Sequence, residues 1–344
     1  MEKTLKFIQF GIGPIGEKIV RYLLERENVA IAGAIDTDPK KIGKDVGDFL
    51  KLGKSLGITI SGNAEQVLAN SDADVVVLST LSSFAKLEEQ INVCIRYKKN
   101  IISSCEEMAF PWDKDYDRAK RIDEAAKEAG VTVLSNGVNP GFAMDALPIF
   151  LTGVCQRVDS IRVERHQDAA IRRLPFQKKI GAGLSLKDFE NKVAEKIIRH
   201  VGFTESVQMI AGAMGWKLDH VEDVVKPAIA ERDLESQFLK VSQGDAAGVL
   251  QTATGYMQGK PVITLELQAY LGHPSPKDSI QIEGEPSMYS EVTGGFNGDI
   301  ATCAMVANSV PVVRRANPGL KTMLDVGLVS WFKGHVYDFE ALKN

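Results

Sequence analysis

Residues 7–36 read FIQFGIGPIGEKIVRYLLERENVAIAGAID. A short apolar run, Phe7 to Phe10, ends in Gly11-Ile12-Gly13-Pro14-Ile15-Gly16. Ile15, Ile19, Tyr22 and Leu23 then recur at helical spacing, and a second apolar run, Val29 to Ile35, ends in Asp36. The order is strand, glycine turn, helix, strand, acid. Asp36 stands 20 positions beyond Gly16, the offset of a dinucleotide fingerprint. Gly11 permits the tight turn, Gly13 lets backbone approach a pyrophosphate, and Gly16 lets the helix pack on the sheet. The turn residues Ile12, Pro14 and Ile15 open a helix whose free amides and partial positive charge suit phosphate. Asp36 accepts hydrogen bonds from ribose hydroxyls and repels a 2′-phosphate, as does Asp38. NAD is therefore the expected cofactor, with NADP possible if Lys40 or Lys41 offsets that repulsion.

The rest of the chain is consistent with this start. Its 344 residues suggest two domains, and 44% hydrophobic with 25% charged residues is a composition that folds around a core. A net charge of −4 gives no electrostatic case for nucleic acid or membrane partners. No secretory or membrane-spanning run is evident, and Cys94, Cys105, Cys155 and Cys303 are scattered with no Cys-x-x-Cys pair. Reduced thiols in a cytoplasm, and no metal site, are the expectation.

Strands and helices alternate as far as Ser135. ADVVVLST (73–80) has the continuous β-branched run of a buried parallel strand. Its end, Ser79, Thr80 and Leu81, is expected to border the cofactor, as are Ser104 and Cys105 after the next strand. Beyond Asn139-Pro140-Gly141-Phe142 the pattern changes. DSIRVER (159–165) alternates, residues 166–183 read as a long polar loop, and several alternating runs between 234 and 292 look antiparallel. Residues 299–308 read as a helix and 311–318 as a turn-rich link, while 320–332 have no clear reading. The expected fold class is α/β, an N-terminal Rossmann-type parallel sheet with a second α+β domain of mainly antiparallel sheet. The expected domains are 1–140 for the dinucleotide, 141–315 for substrate and dimerisation, and a segment 316–344 that packs back on the first. An open sheet in the second domain is a surface that a twin subunit covers, which predicts a homodimer.

Chemistry is expected at Glu106-Glu107, directly after a buried strand. A carboxylate there can pair with an ammonium, accept its proton and stabilise the iminium left by hydride loss. Glu106, nearer the strand end, is the favoured residue. The simpler alternative is an acidic pair opening a helix. Asn139 can hydrogen-bond a nicotinamide carboxamide or merely shape a turn. His166 can act as acid or donor. Arg165, Arg172 and Arg173 can clamp a substrate carboxylate, or with Lys178 and Lys179 form a solvated or interfacial loop. Phe142, Met144 and Phe176 are candidates for an apolar pocket.

These motifs bring a family with them. GIGPIG (11–16), GAIDTDPKKIGKDVG (33–47), ISSCEEM (102–108), GVNPGFAMDALP (137–148) and RRLPFQKKIGAG (172–183) together resemble the 2,4-diaminopentanoate dehydrogenases and native amine dehydrogenases, within the dihydrodipicolinate reductase-like oxidoreductases. The resemblance implies NAD(P)-dependent oxidative deamination of an amine or diamino acid, reversible with a ketone and ammonia, and places the catalytic glutamate at Glu106. Dihydrodipicolinate reductases themselves carry a His-His pair and a Ser-Gly-Thr loop. Here that stretch is ERHQDAAIRRLPFQKK, with neither. The rival readings are an imine or carbonyl reductase that needs no ammonia, and a non-catalytic NAD-sensing protein.

Overall fold

The apolar run at the N-terminus becomes β1 (Leu5–Phe10), and Pro14 pre-sets the first turn of α1 (Pro14–Leu24) after Gly13 as cap. α1 buries Gly16, Ile19, Val20 and Leu23. The computed structural model describes residues 4–334 and continues with β2 (Val29–Ile35), α2 (Val46–Phe49), β3 (Ile60–Ser61), α3 (Ala64–Ala69), β4 (Val75–Leu78), α4 (Phe84–Arg96), β5 (Asn100–Ser103), α5 (Tyr116–Ala129) and β6 (Thr132–Ser135). Every residue of β4 is buried, as a strand covered on both faces requires. α5 ends where Gly130 takes a left-handed φ of 71°, a C-cap that glycine adopts without steric cost.

The second unit, Phe142–Asn297, holds α6 (Ala146–Thr152), β7 (Arg157–Asp168), α7 (Leu174–Lys179), α8 (Leu186–Ala194), α9 (Phe203–Met214), β8 (His220–Ile229), β9 (Leu234–Glu235), β10 (Lys240–Val241), β11 (Ala246–Met257), β12 (Lys260–Tyr270), β13 (Lys277–Glu285) and β14 (Met288–Thr293). Six strands form one sheet in the order β14-β13-β7-β12-β11-β8, and α6, α8 and α9 pack on it. Its pairs are antiparallel except β7 with β12, so the sheet is mixed with an antiparallel majority. β8, with Pro227 inside it, was not anticipated. It is an edge strand, where the missing N–H of a proline is tolerated.

The chain then returns to the first unit, which among the described residues comprises 4–141 and 298–334. α10 (Gly298–Arg315) and β15 (Gly319–Lys321) complete it. β15 pairs in parallel with β6, giving the seven-strand parallel order β15-β6-β5-β4-β1-β2-β3. One core layer joins α1 and α10 to the sheet through Ile19, Leu23, Val75, Ile102, Val306 and Val310. The opposite layer joins α4 and α5 through Phe84, Leu87, Ile91 and Ile122.

Three expectations are corrected. The second boundary falls before Gly298 and not at 315, because α10 buries its apolar side against the first sheet. α10 also runs through Pro311 to Arg315 where a link was expected. Burial of Val310, Val312 and Val313 outweighs the local helix-breaking preference of proline. Residues 166–183 are not a loop. β7 extends to Asp168 because His166, Gln167 and Asp168 pair with Gln268, Ala269 and Tyr270, and α7 follows. The last part of the expected C-terminal segment, 335–344, lies outside the described residues.

Candidate active site

The glycine turn is fixed from beneath. Gln9 is fully buried, and its Nε2 donates to the Gly11 carbonyl at 2.9 Å and to Ser79 Oγ at 2.8 Å. Ser79 Oγ donates to the same carbonyl at 3.0 Å. Gly11 has φ +90°, and a Cβ on it would lie 2.7 Å from Thr80 Cγ2; one on Gly16 would lie 2.0 Å from the Gly11 carbonyl oxygen. A Cβ on Gly13 would meet nothing within 4 Å. The space over the middle of the turn is therefore open while its two ends are tightly packed, which is the shape a pyrophosphate on a helix N-terminus requires.

Asp36 sits at the end of β2 and is only 7% exposed. Its Oδ2 accepts from the Ile12 amide at 2.7 Å, and its Oδ1 from the Asp38 amide at 2.9 Å. Lys41 Nζ lies 3.0 Å from Oδ2 and donates to the Ile12 carbonyl at 2.9 Å. Burial works to raise the Asp36 pKa, but the two amides and Lys41 together hold it below the usual carboxylate range. The acid is thus charged and aligned with the glycine turn.

The ends of β4, β5 and β6 carry the other candidates. Ser79 is committed to the glycine turn, Thr80 Oγ1 donates to Gln90 Oε1 at 2.7 Å, and Leu81 is exposed. The Ser79 and Thr80 side chains thus brace the turn and α4. Ser104 donates its amide to the Leu78 carbonyl, and the buried Cys105 thiol donates to the Ser82 carbonyl at 3.1 Å. Burial pushes that thiol far above its ordinary pKa, which makes it inert.

Glu106 and Glu107 occupy a short 3₁₀ turn after β5. Glu107 Oε2 accepts the Phe84 amide at 2.9 Å and so caps α4, whose own cap residue Ser83 makes no side-chain bond. Glu107 has a structural task, while the half-buried Glu106 precedes it at the strand end. Asn139 is buried beyond β6, in a cis Asn139–Pro140 bond. The neighbouring Val138 amide donates to Thr302 Oγ1 at 3.3 Å, and Cys303 Sγ lies 3.7 Å from the Ile15 carbonyl. The first turns of α10 therefore stand at the same sheet end as the glycine turn. Sequence reasoning did not reach Thr302 because this contact spans 164 residues.

Within the second unit, the expected substrate residues separate. Arg165 and His166 are consecutive on β7 and point to opposite faces. Arg165 is 2% exposed and donates to Asp278 Oδ1 and to the Phe296 carbonyl, both at 2.8 Å. Asp278 Oδ2 accepts the Phe296 amide at 2.6 Å. This closed set corrects the expectation of a carboxylate clamp at Arg165: the guanidinium is neutralised, and it holds Phe296 edge-on to Phe142 at 5.6 Å. His166 lies 3.3 Å from Glu266 Oε1 and beside the His273 ring, on the other face. Met144 is fully buried as core. Arg172 donates to Gln167 Oε1 at 2.8 Å and lies 4.1 Å over the Phe176 ring, so these two candidates do come together; Arg173 caps α7. His200 was missed, since a lone histidine carries no spacing signal. Burial, then the nearby charges of Lys179 and Arg165, push it down to about 3, so it is neutral at physiological pH. Among the described residues no group of three or more His, Cys, Asp or Glu is placed to hold a metal ion, and no helix is long and apolar enough to cross a membrane.

Comparison with known proteins identifies the family. Residues 142–341 match the family model for the 2,4-diaminopentanoate dehydrogenase C-terminal domain, and residues 6–136 match that for the dihydrodipicolinate reductase N-terminus. The chain is 34% identical to 2,4-diaminopentanoate dehydrogenase of Acetoanaerobium sticklandii, over 95% of this chain and 94% of that protein. It is 22% identical to an amine dehydrogenase of Streptomyces virginiae, over 93% and 96%. The fold superposes on the structure of amine dehydrogenase from Mycobacterium smegmatis with a TM-score of 0.85 at 23% identity, covering 97% of this chain and 99% of that one.

Proposed function

Since the chain belongs to the 2,4-diaminopentanoate dehydrogenase family, we propose that it catalyses reversible, NAD(P)-dependent oxidative deamination of an amine or diamino acid to a ketone and ammonia. The observation that carries this reading is a carboxylate directly after β5, in the same unit as the glycine turn and Asp36. Glu107 caps α4, and the reacting amine is assigned to Glu106, the residue nearer the strand end. The Gly11–Gly16 turn would hold the pyrophosphate and Asp36 the adenosine ribose. When bound, NAD(P) supplies the acceptor for a hydride from the substrate carbon. Glu106 first pairs with the substrate ammonium and takes one of its protons, leaving the neutral amine from which hydride loss is possible. Glu106 releases that proton to solvent; as a carboxylate again it removes a proton from the water that attacks the iminium carbon, returns it to the carbinolamine nitrogen so that ammonia departs, and takes up the hydroxyl proton as the ketone forms.

The amine and the ketone with ammonia are the small molecules exchanged. Cys94, Cys105, Cys155 and Cys303 are free thiols, three of them buried, which supports a reducing, cytoplasmic setting. The test is oxidation of NADH and NADPH with a panel of ketones and keto acids, with and without ammonium. Ammonium-dependent oxidation is expected. Turnover without ammonium would make the protein a carbonyl or imine reductase, and tight cofactor binding with no turnover would make it a sensor. Glu106→Ala is expected to keep NADH binding and lose roughly 10²- to 10⁴-fold in turnover; unchanged turnover would remove Glu106 from the mechanism.

A further inference from the structure

We propose that Ser135 is a positioning residue for the reaction: its buried hydroxyl fixes the peptide directly before Glu106 and so sets where the Glu106 carboxylate is offered. The inference rests on the reading of Glu106 as the carboxylate that meets the amine. β5 and β6 run parallel, and their register sets Ser135 beside Ser103 at the same end of the sheet. Both serines are fully buried. A hydroxyl shut away from water must find a partner inside the protein or cost free energy.

Ser135 Oγ lies 2.7 Å from the Cys105 carbonyl oxygen and 3.1 Å from that of Ser103. Its single proton serves one of them, and the shorter contact assigns it to Cys105. From the other side, the Cys105 amide donates to Ser103 Oγ at 3.1 Å, and the Cys105 thiol donates to the Ser82 carbonyl at 3.1 Å. The residue before Glu106 is therefore held at its amide, its carbonyl and its side chain. The residue after it is held twice: the Glu107 amide donates to the Ser82 carbonyl at 3.4 Å, and Glu107 Oε2 accepts the Phe84 amide at 2.9 Å.

Ser82 and Phe84 tie the turn to the connection between β4 and α4, whereas Ser135 ties it to the neighbouring strand β6. The Met108 amide also reaches the Cys105 carbonyl, at 3.2 Å, but it belongs to the same turn and closes it without anchoring it. The carbonyl that Ser135 holds is part of the peptide joining Cys105 to Glu106, so β6 sets the plane of that peptide. Rotation of the plane would swing the Glu106 side chain, and a displacement of about 1 Å at a reacting group costs up to roughly a hundredfold in rate. A carboxylate required at one point gains from a backbone that need not reorganise when the amine arrives.

The test is a double-mutant cycle on the purified enzyme. NAD reduction by 2,4-diaminopentanoate is measured for the wild type, Ser135→Ala, Glu106→Ala and the double variant, with NADH affinity by fluorescence for each. Ser135→Ala is expected to lower kcat roughly 10- to 100-fold while NADH affinity stays within about threefold of wild type. In the Glu106→Ala background there is no carboxylate left to position, so Ser135→Ala should lower the residual rate less than about twofold. A serine that merely supports the fold would not give that non-additivity. If Ser135→Ala does not fold, Ser103→Ala, which removes the acceptor of the Cys105 amide, goes through the same cycle with the same expectation. Equal fold losses in both backgrounds, or a kcat within about threefold of wild type in the single serine variant, would overturn the inference and leave Glu106 in its role. Turnover unaffected by Glu106→Ala would instead fail the reading of Glu106, and the inference with it.

Discussion

Gly13 and Gly16 are three residues apart and have opposite surroundings. Alanine normally stabilises a helix over glycine by about 1 kcal/mol, and Gly16 lies inside α1. Its new methyl would stand 2.0 Å from a backbone carbonyl, however, so the clash prevails. Gly16→Ala is expected to lower stability by roughly 1–3 kcal/mol in a denaturant titration. Gly13→Ala meets open space at an ordinary φ of −83° and should melt within about 0.5 kcal/mol of wild type. Its cost appears in NADH affinity, expected to fall at least about tenfold, since the methyl stands where the pyrophosphate approaches. Unaltered NADH affinity in Gly13→Ala would show that the ligand does not lie over this turn. The glycine spacing was legible from the sequence. The support beneath it, Gln9 with Ser79, was not, because that contact joins two strands 70 residues apart.

β7 shows the same limit at the level of an element. Its alternation was readable through Arg165, and alternation alone puts Arg165 with Ile161 and Val163 on the inner face. What the local pattern does not show is the pairing with Asp278, which β13 brings opposite Arg165. The partner strand turns an apparent substrate clamp into an internal ion pair. Burial raises the Asp278 pKa, and Arg165 opposes that shift. Removing the arginine leaves the acid buried without its cation, so Arg165→Met should cost roughly 3–5 kcal/mol on chemical unfolding. Adding Asp278→Leu should restore much of that loss, as a well-packed apolar pair replaces the ions. A cost below about 1 kcal/mol for Arg165→Met would mean that solvent reaches the pair.

At the scale of the molecule, the chain leaves the first unit at Gly141 and re-enters it at Gly298. The sheet of the inserted unit has one face under α6, α8 and α9. Arg162, Glu164, His166, Glu266 and Lys277 form a linked charge network at strand positions that alternate with the buried ones. The homodimer expected from the open sheet of the second unit is tested at this face. Light scattering of the purified protein is expected to give twice the chain mass, and Arg162→Glu, which sets like charges together, should shift it toward the monomer. A wild-type monomer at micromolar concentration would exclude the dimer.

The sequence by itself determined what depends on near neighbours: the strand-turn-helix of the glycine loop, the acid that follows it, the buried parallel strands, the change of pattern after Gly141, and a carboxylate pair at a strand end. Each is a matter of periodicity or of residues a few positions apart. Only the tertiary structure decided which glutamate caps α4, that Arg165 is neutralised, that α10 completes the first sheet, and that Lys41 shares the acid and the backbone of the glycine turn. Those outcomes depend on pairings between distant segments. A hydrogen bond or an ion pair is decided by which atoms the folded core brings within about 3 Å, and separation along the chain does not encode that.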